Sequence, residues 1–125
     1  MRLQPLICVR DVEASSCWYQ RLLGCQSAHG GSEYERLVWH GRLILQLHRW
    51  GVDHHHGLPN ITPYGNGVLL WFELDDFGAA VARAREIKAE VIKPRHGGEN
   101  AHWECWLRDP EGYMIVLASP LGSAA

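Results

Sequence analysis

Leu6-Ile7-Cys8-Val9-Arg10-Asp11-Val12 and Leu69-Leu70-Trp71-Phe72-Glu73-Leu74-Asp75-Asp76-Phe77 open the two halves of the chain in the same way. Each is a short apolar run followed by an aspartate whose carboxylate suits the first turn of a helix. Beyond Asp11, the residues Val12, Ser15, Trp18, Leu22 and Leu23 recur at helical spacing until Gly24 ends the pattern; beyond Asp76, Phe77, Ala80, Val81, Ala84 and Ile87 do the same. Strand-like segments follow each helix, at 35–40 and 42–48 in the first half and at 103–108 and 113–118 in the second. Ile44-Leu45-Gln46-Leu47 and Met114-Ile115-Val116-Leu117 occupy matching places. Asp109-Pro110-Glu111-Gly112 offers a fixed φ at proline and a glycine where a positive φ is needed, so the last two strands should form a hairpin. The repeat therefore predicts an α+β fold made of two copies of one module.

The rest of the composition bounds what this fold could do. A chain of 125 residues, 46% hydrophobic and 21% charged, suits one soluble domain over 1–125 with a single core. Within it, module one is expected at about 3–49, a linker rich in Gly, Pro, Asn and His at 50–66, and module two at about 67–120. A net charge of -2 with no basic stripe argues against nucleic acid. No apolar run approaches the roughly 18 to 20 residues of a membrane span and no signal segment is evident, so a cytoplasmic protein without a membrane partner is expected. The four cysteines form no CxxC pair and read as reduced, largely buried thiols. Six tryptophans exceed the needs of so small a core and hint at a ligand cavity.

The order of elements, the closing Arg108-Asp109-Pro110-Glu111-Gly112-Tyr113, the opening Val9-Arg10-Asp11-Val12, and Trp18-Tyr19 with Leu22-Leu23-Gly24 together resemble the vicinal oxygen chelate superfamily, over Leu3 to about Pro120. That superfamily includes glyoxalase I, extradiol dioxygenases, fosfomycin resistance proteins and bleomycin-binding proteins. The resemblance implies two tandem βαβββ modules forming a concave, partly closed sheet with helices on the outer face, and a homodimer. It also implies that a metal-dependent member would hold its ion from Gln4, Gln46, Leu69 and Val116, on the first and last strands of the two modules. An amide is a weak neutral donor and hydrocarbon offers none, so no metal and no other cofactor is expected there, although a divalent ion at a relocated site stays open.

Alternation sets the remaining candidates. Gln46 and His48 should share a face, with Leu43, Leu45 and Leu47 beneath the helix; Leu69, Trp71 and Glu73 should share the concave face. Glu73 and His48 are candidate acid–base groups, Glu73 also a contact for a cation; against this stands a Glu73 that reaches solvent or pairs with an arginine. His54, His55 and His56, in the linker, join His48 as weak metal candidates, their simpler reading being solvated loop histidines. Gln4, Trp39, Gln46, His48, Leu69, Trp71, Glu73, Trp103 and Val116 are the candidate ligand contacts, and the odd spacing of Trp103 and Trp106 sends one indole to the core and the other to the cavity or a subunit interface. His96-Gly97-Gly98-Glu99-Asn100 reads as a loop over the cavity mouth, and no catalytic triad, Walker or dinucleotide motif is present. The sequence thus points first to a protein that binds or sequesters a small aromatic or cationic molecule. A metal-dependent lyase, isomerase or dioxygenase acting on a small oxygenated substrate, and a structural or interaction module, are the alternatives.

Overall fold

A computed structural model describes residues 1–51, 58–99 and 102–123. It divides into two compact units, 1–62 and 63–125.

In the first unit, strand β1 (Leu6–Val9) leads into helix α1 (Val12–Leu23), followed by the two-residue β2 (Gln26–Ser27), β3 (Tyr34–Trp39) and β4 (Arg42–Arg49). Asp11 caps the helix, its Oδ1 accepting from Ala14 N at 3.0 Å. Gly24, at φ 71, closes it by donating its N–H to the Gln20 carbonyl. The four strands make one sheet in the order β1-β4-β3-β2. β1 and β4 run parallel, which their separation permits because the helix and a hairpin lie between them. Tyr19, Leu22, Leu37, Leu45 and Leu47 are fully buried, so a helix stripe and one sheet face form this unit's core; Tyr19 takes the buried place expected for Trp18, which is half-buried, as is Leu43.

The second unit repeats the plan: β5 (Leu70–Glu73), helix α2 (Phe77–Glu86), β6 (Glu90–Gly97), β7 (Trp103–Arg108) and β8 (Met114–Ala118), in the order β5-β8-β7-β6. Asp76 caps α2 through Ala79 N at 3.0 Å. Phe77, Ala80 and Ala84 of the helix are buried, as are Leu70, Cys105, Leu107, Ile115 and Leu117 of the sheet. The Asp109–Gly112 turn forms as expected: Asp109 Oδ1 accepts from Glu111 N and Tyr113 N at 2.9 and 2.8 Å, and Gly112 sits at φ 102.

Each module is thus a βαβββ unit, and the fold is α+β with two four-stranded sheets and two helices. β6 corrects the expectation of a loop at 96–100, because His96 and Gly97 belong to the strand and pair with Glu104 and Trp103. All four cysteines are free and three are buried. No helix among the described residues is long and apolar enough to cross a membrane.

Candidate functional site

In the first unit the sheet face turned from α1 carries Tyr34, Arg36, Gln46 and His48 by alternation from the buried Leu37, Leu45 and Leu47. Gln46 has both ends of its amide engaged. Its Oε1 accepts from the Tyr34 hydroxyl at 2.5 Å and its Nε2 donates to the Gln4 carbonyl at 3.2 Å, while Arg36 Nη1 donates to the Tyr34 hydroxyl at 3.3 Å. Gln4 itself is exposed ahead of β1, and the residue directly across from Gln46 is Leu6. His48 is buried, its Nδ1 3.2 Å from the Arg49 carbonyl oxygen, and with His29 and Tyr34 it borders a cleft of about 540 Å³. Trp39 lies at the other end of the β3–β4 ladder, stacked on His40 at 3.7 Å, so the structure does not bring it to Gln46 and His48.

The loop bordering this cleft is held by Glu35, which the sequence pattern marks only as the start of a strand. Glu35 is buried on the helix side, where its Oε2 accepts from Ser16 and Ser27 hydroxyls at 2.8 and 2.7 Å. Its Oε1 accepts the backbone N–H groups of His29, Gly30 and Arg36 at 3.2, 2.8 and 2.9 Å. Burial pushes this carboxyl up, but the hydrogen bonds from Ser27, Gly30, Ser16 and Arg36 outweigh it and leave the pKa below the usual carboxylate range. Glu35 therefore ties α1, β2 and the loop to β3 as a charge.

In the second unit, Trp71 pairs across β8 with Val116, which in turn pairs with Trp106, so the three share the face turned from α2. Glu104 lies on the same face two residues from Trp106, and Glu73 pairs with Ala118, Glu104's own neighbour. Trp71 is 47% exposed and borders a cleft of about 430 Å³ with His96, Gly98, His102, Glu104 and Leu121. Glu104 is its anchored charge. Oε2 contacts His102 Nε2 at 2.7 Å, Oε1 accepts from Trp106 Nε1 at 2.8 Å, and His96 Nε2 stands 3.5 Å from Oε1. Burial pushes the Glu104 carboxyl up, yet those hydrogen bonds from Trp106 and His102, joined by the charge of the His102 and His96 rings whenever they are protonated, hold it below the usual carboxylate range. A Cβ on Gly98 would fall 2.5 Å from Glu104 Oε2 and from the His102 ring, so glycine lets the chain close over this pair.

Other sequence candidates take different places. Trp103, expected at the ligand, sits on the α2 side of the sheet with Cys105 and Leu107, under the Arg95 guanidinium at 4.3 Å; it borders a separate cleft beside the start of α2. Trp106 is the indole on Glu104's face, as the odd spacing requires of one of the two. Glu73 is exposed, Leu69 is exposed just ahead of β5, and Val116 has no exposed surface. His54, His55 and His56 lie outside the described residues.

A divalent metal does not fit the positions implied by resemblance. The Gln46 amide is already bonded at both ends, the exposed Gln4 amide is a weak neutral donor, and Leu69 and Val116 offer no donor atom, nor do Leu6 and the indole of Trp71 directly across the ladders. Among the described residues no group of three or more His, Cys, Asp or Glu is placed to hold a metal ion.

A family model described as Glyoxalase/Bleomycin resistance protein/Dioxygenase superfamily matches residues 3–117. Among solved structures, a glyoxalase/bleomycin resistance protein/dioxygenase family enzyme from Burkholderia phytofirmans PsJN is 20% identical at a TM-score of 0.72, over 97% of this chain and 100% of that one. TioX from Micromonospora sp. ML1 is 15% identical at 0.74, over 96% and 100%. Lactoylglutathione lyase from Agrobacterium tumefaciens is 16% identical at 0.70, over 95% and 93%. At these identities the structures share the fold. No curated protein matches the chain in sequence.

Proposed function

The chain belongs to the Glyoxalase/Bleomycin resistance protein/Dioxygenase superfamily, and from that premise we propose that it binds a small planar or cationic molecule without the metal ligands of its metal-dependent relatives. The carrying observation is the pairing, in one cleft, of an exposed indole, Trp71, with an ionised carboxylate, Glu104. An indole face attracts flat and cationic groups, by about 0.5–1 kcal/mol when exposed and about 2 or more when desolvated. A carboxylate fixed by neighbouring donors adds a charge-assisted contact for a cation at little reorganisation cost. Titration of a panel of planar cations and neutral planar analogues, followed by tryptophan fluorescence, tests this. Saturable quenching that Trp71→Ala abolishes supports the proposal, and equal binding by that variant would remove the cleft from it.

A second reading, acid–base catalysis on a small oxygenated substrate, is favoured by one contact. An imidazole oriented by a carboxylate, as His102 is by Glu104, is the arrangement of a general base. In this reading the pair replaces His48 and Glu73. Turnover of small α-hydroxycarbonyl compounds that is lost in His102→Gln, with ligand quenching retained, would establish it. The homodimer implied by resemblance is likewise a proposal, checked by sedimentation equilibrium.

A further inference from the structure

We infer that the Trp71 cleft carries a receptor for a ligand's ammonium group, formed by Nε2 of His96 and Oε1 of Glu104. This rests on the proposal that the cleft binds a small molecule, and it names the group that molecule must present.

Hydrogen placement at His96 follows from its partners. Nδ1 lies 2.8 Å from the Pro94 carbonyl oxygen, which only accepts, so Nδ1 carries a hydrogen. In the neutral ring Nε2 is then a bare lone pair, and it stands 3.5 Å from Oε1 of Glu104, another acceptor. Two acceptors facing each other repel unless a positive group with hydrogens lies between them. Trp106 and His102 occupy other lone pairs of the carboxylate at 2.8 and 2.7 Å, leaving the side towards His96 open. An ammonium nitrogen at about 2.8–3.0 Å from both atoms would donate to each. Access favours the same spot, because the His96 side chain is 38% exposed while that of His102 is only 4% exposed. Trp71 on the cleft wall would meet the ligand's flat body. Only two donors converge here, too few for a tight transition-metal site.

The rival occupant is a proton on His96 itself, which closes the receptor. Charged or titratable groups near Glu104 are His96 and Lys93 from β6, the latter over the Trp106 ring, His102 and Glu99 from the β6–β7 connection, and Glu73 on β5.

The test is calorimetric titration of the intact protein with three probes sharing one aromatic body: 1-naphthylmethylamine, its N,N,N-trimethyl derivative and 1-naphthylmethanol. At about pH 8 the primary amine should bind about ten-fold more tightly than either relative. Glu104→Gln and His96→Phe should each erase the advantage, because each removes one of the two acceptors. Equal binding of the amine and the trimethyl compound would overturn the receptor and leave a simple indole–cation contact. Binding of none of the three would overturn the underlying cleft proposal as well.

Discussion

Replacing Glu35 with leucine should cost about 3–6 kcal/mol of stability, whereas Glu35→Gln should cost only about 1–2 kcal/mol. The difference comes from which donors each side chain leaves stranded. Leucine accepts nothing, so all five donors to Glu35 lose their acceptor. Ser27 and His29 are at the surface and can turn to water, but the Ser16 hydroxyl is buried and the Gly30 and Arg36 N–H groups are partly enclosed. Three such groups at about 1–3 kcal/mol each, taken in the lower half of that range because the loop can relax, give the figure for leucine. Glutamine keeps an oxygen for the three N–H groups, while its NH2 donates to two hydroxyls that reverse roles and accept. It loses the charge of those bonds and leaves the two hydroxyl hydrogens, which now donate to Glu35, to find other acceptors. Urea unfolding at neutral pH measures both variants. A loss below about 1 kcal/mol for leucine, or equal losses for the two, would refute this account of the loop. The charge also sets a pH dependence. Because the folded carboxyl is held below its ordinary value, its contribution is present above the unfolded pKa of about 4.3 and is lost as pH falls through the folded one. The gap between wild type and Glu35→Gln should close over that acidic window.

Gly65→Ala should destabilise the protein by about 2 kcal/mol or more, because it combines a positive φ of 64 with a Cβ 2.6 Å from the Tyr113 ring; thermal unfolding checks it. Gly98→Ala should act on binding more than on stability, since its Cβ would press on the ends of Glu104 and His102 and separate them; quenching at Trp71 should weaken while the unfolding midpoint moves little. Ellman's reagent should titrate Cys17 rapidly in the folded protein, with Cys8, Cys25 and Cys105 reacting only on unfolding. Burial encloses those three and pushes the Cys25 thiol up to about 11.

Local rules made the frame of the fold legible. Asp11 and Asp76 announce helices because a short carboxylate can reach the first-turn N–H groups, and the structure shows both doing so at 3.0 Å. Strands β1 and β7 begin and end where their apolar pattern does. β6 was hidden because it is an edge strand, exposed along most of its length, with register shifts and a proline that only an edge tolerates. Without β6 there was no register to place His96 beside Glu104, and the cluster at the Trp71 cleft could not be assembled from the sequence. Its trace was nevertheless present: His102, Glu104 and Trp106 alternate, and alternation puts them on one face once β7 is assigned. Glu35 left no comparable signal, since its donors come from four separate segments that only the folded chain brings together.

Native mass spectrometry of tag-free protein with a planar amine, in the presence of a chelator, tests the central claim most directly. The account predicts a one-to-one complex of protein and ligand without a metal ion, diminished in Trp71→Ala and in Glu104→Gln. A complex that appears only when a divalent ion is supplied, or one that both variants retain in full, would contradict it.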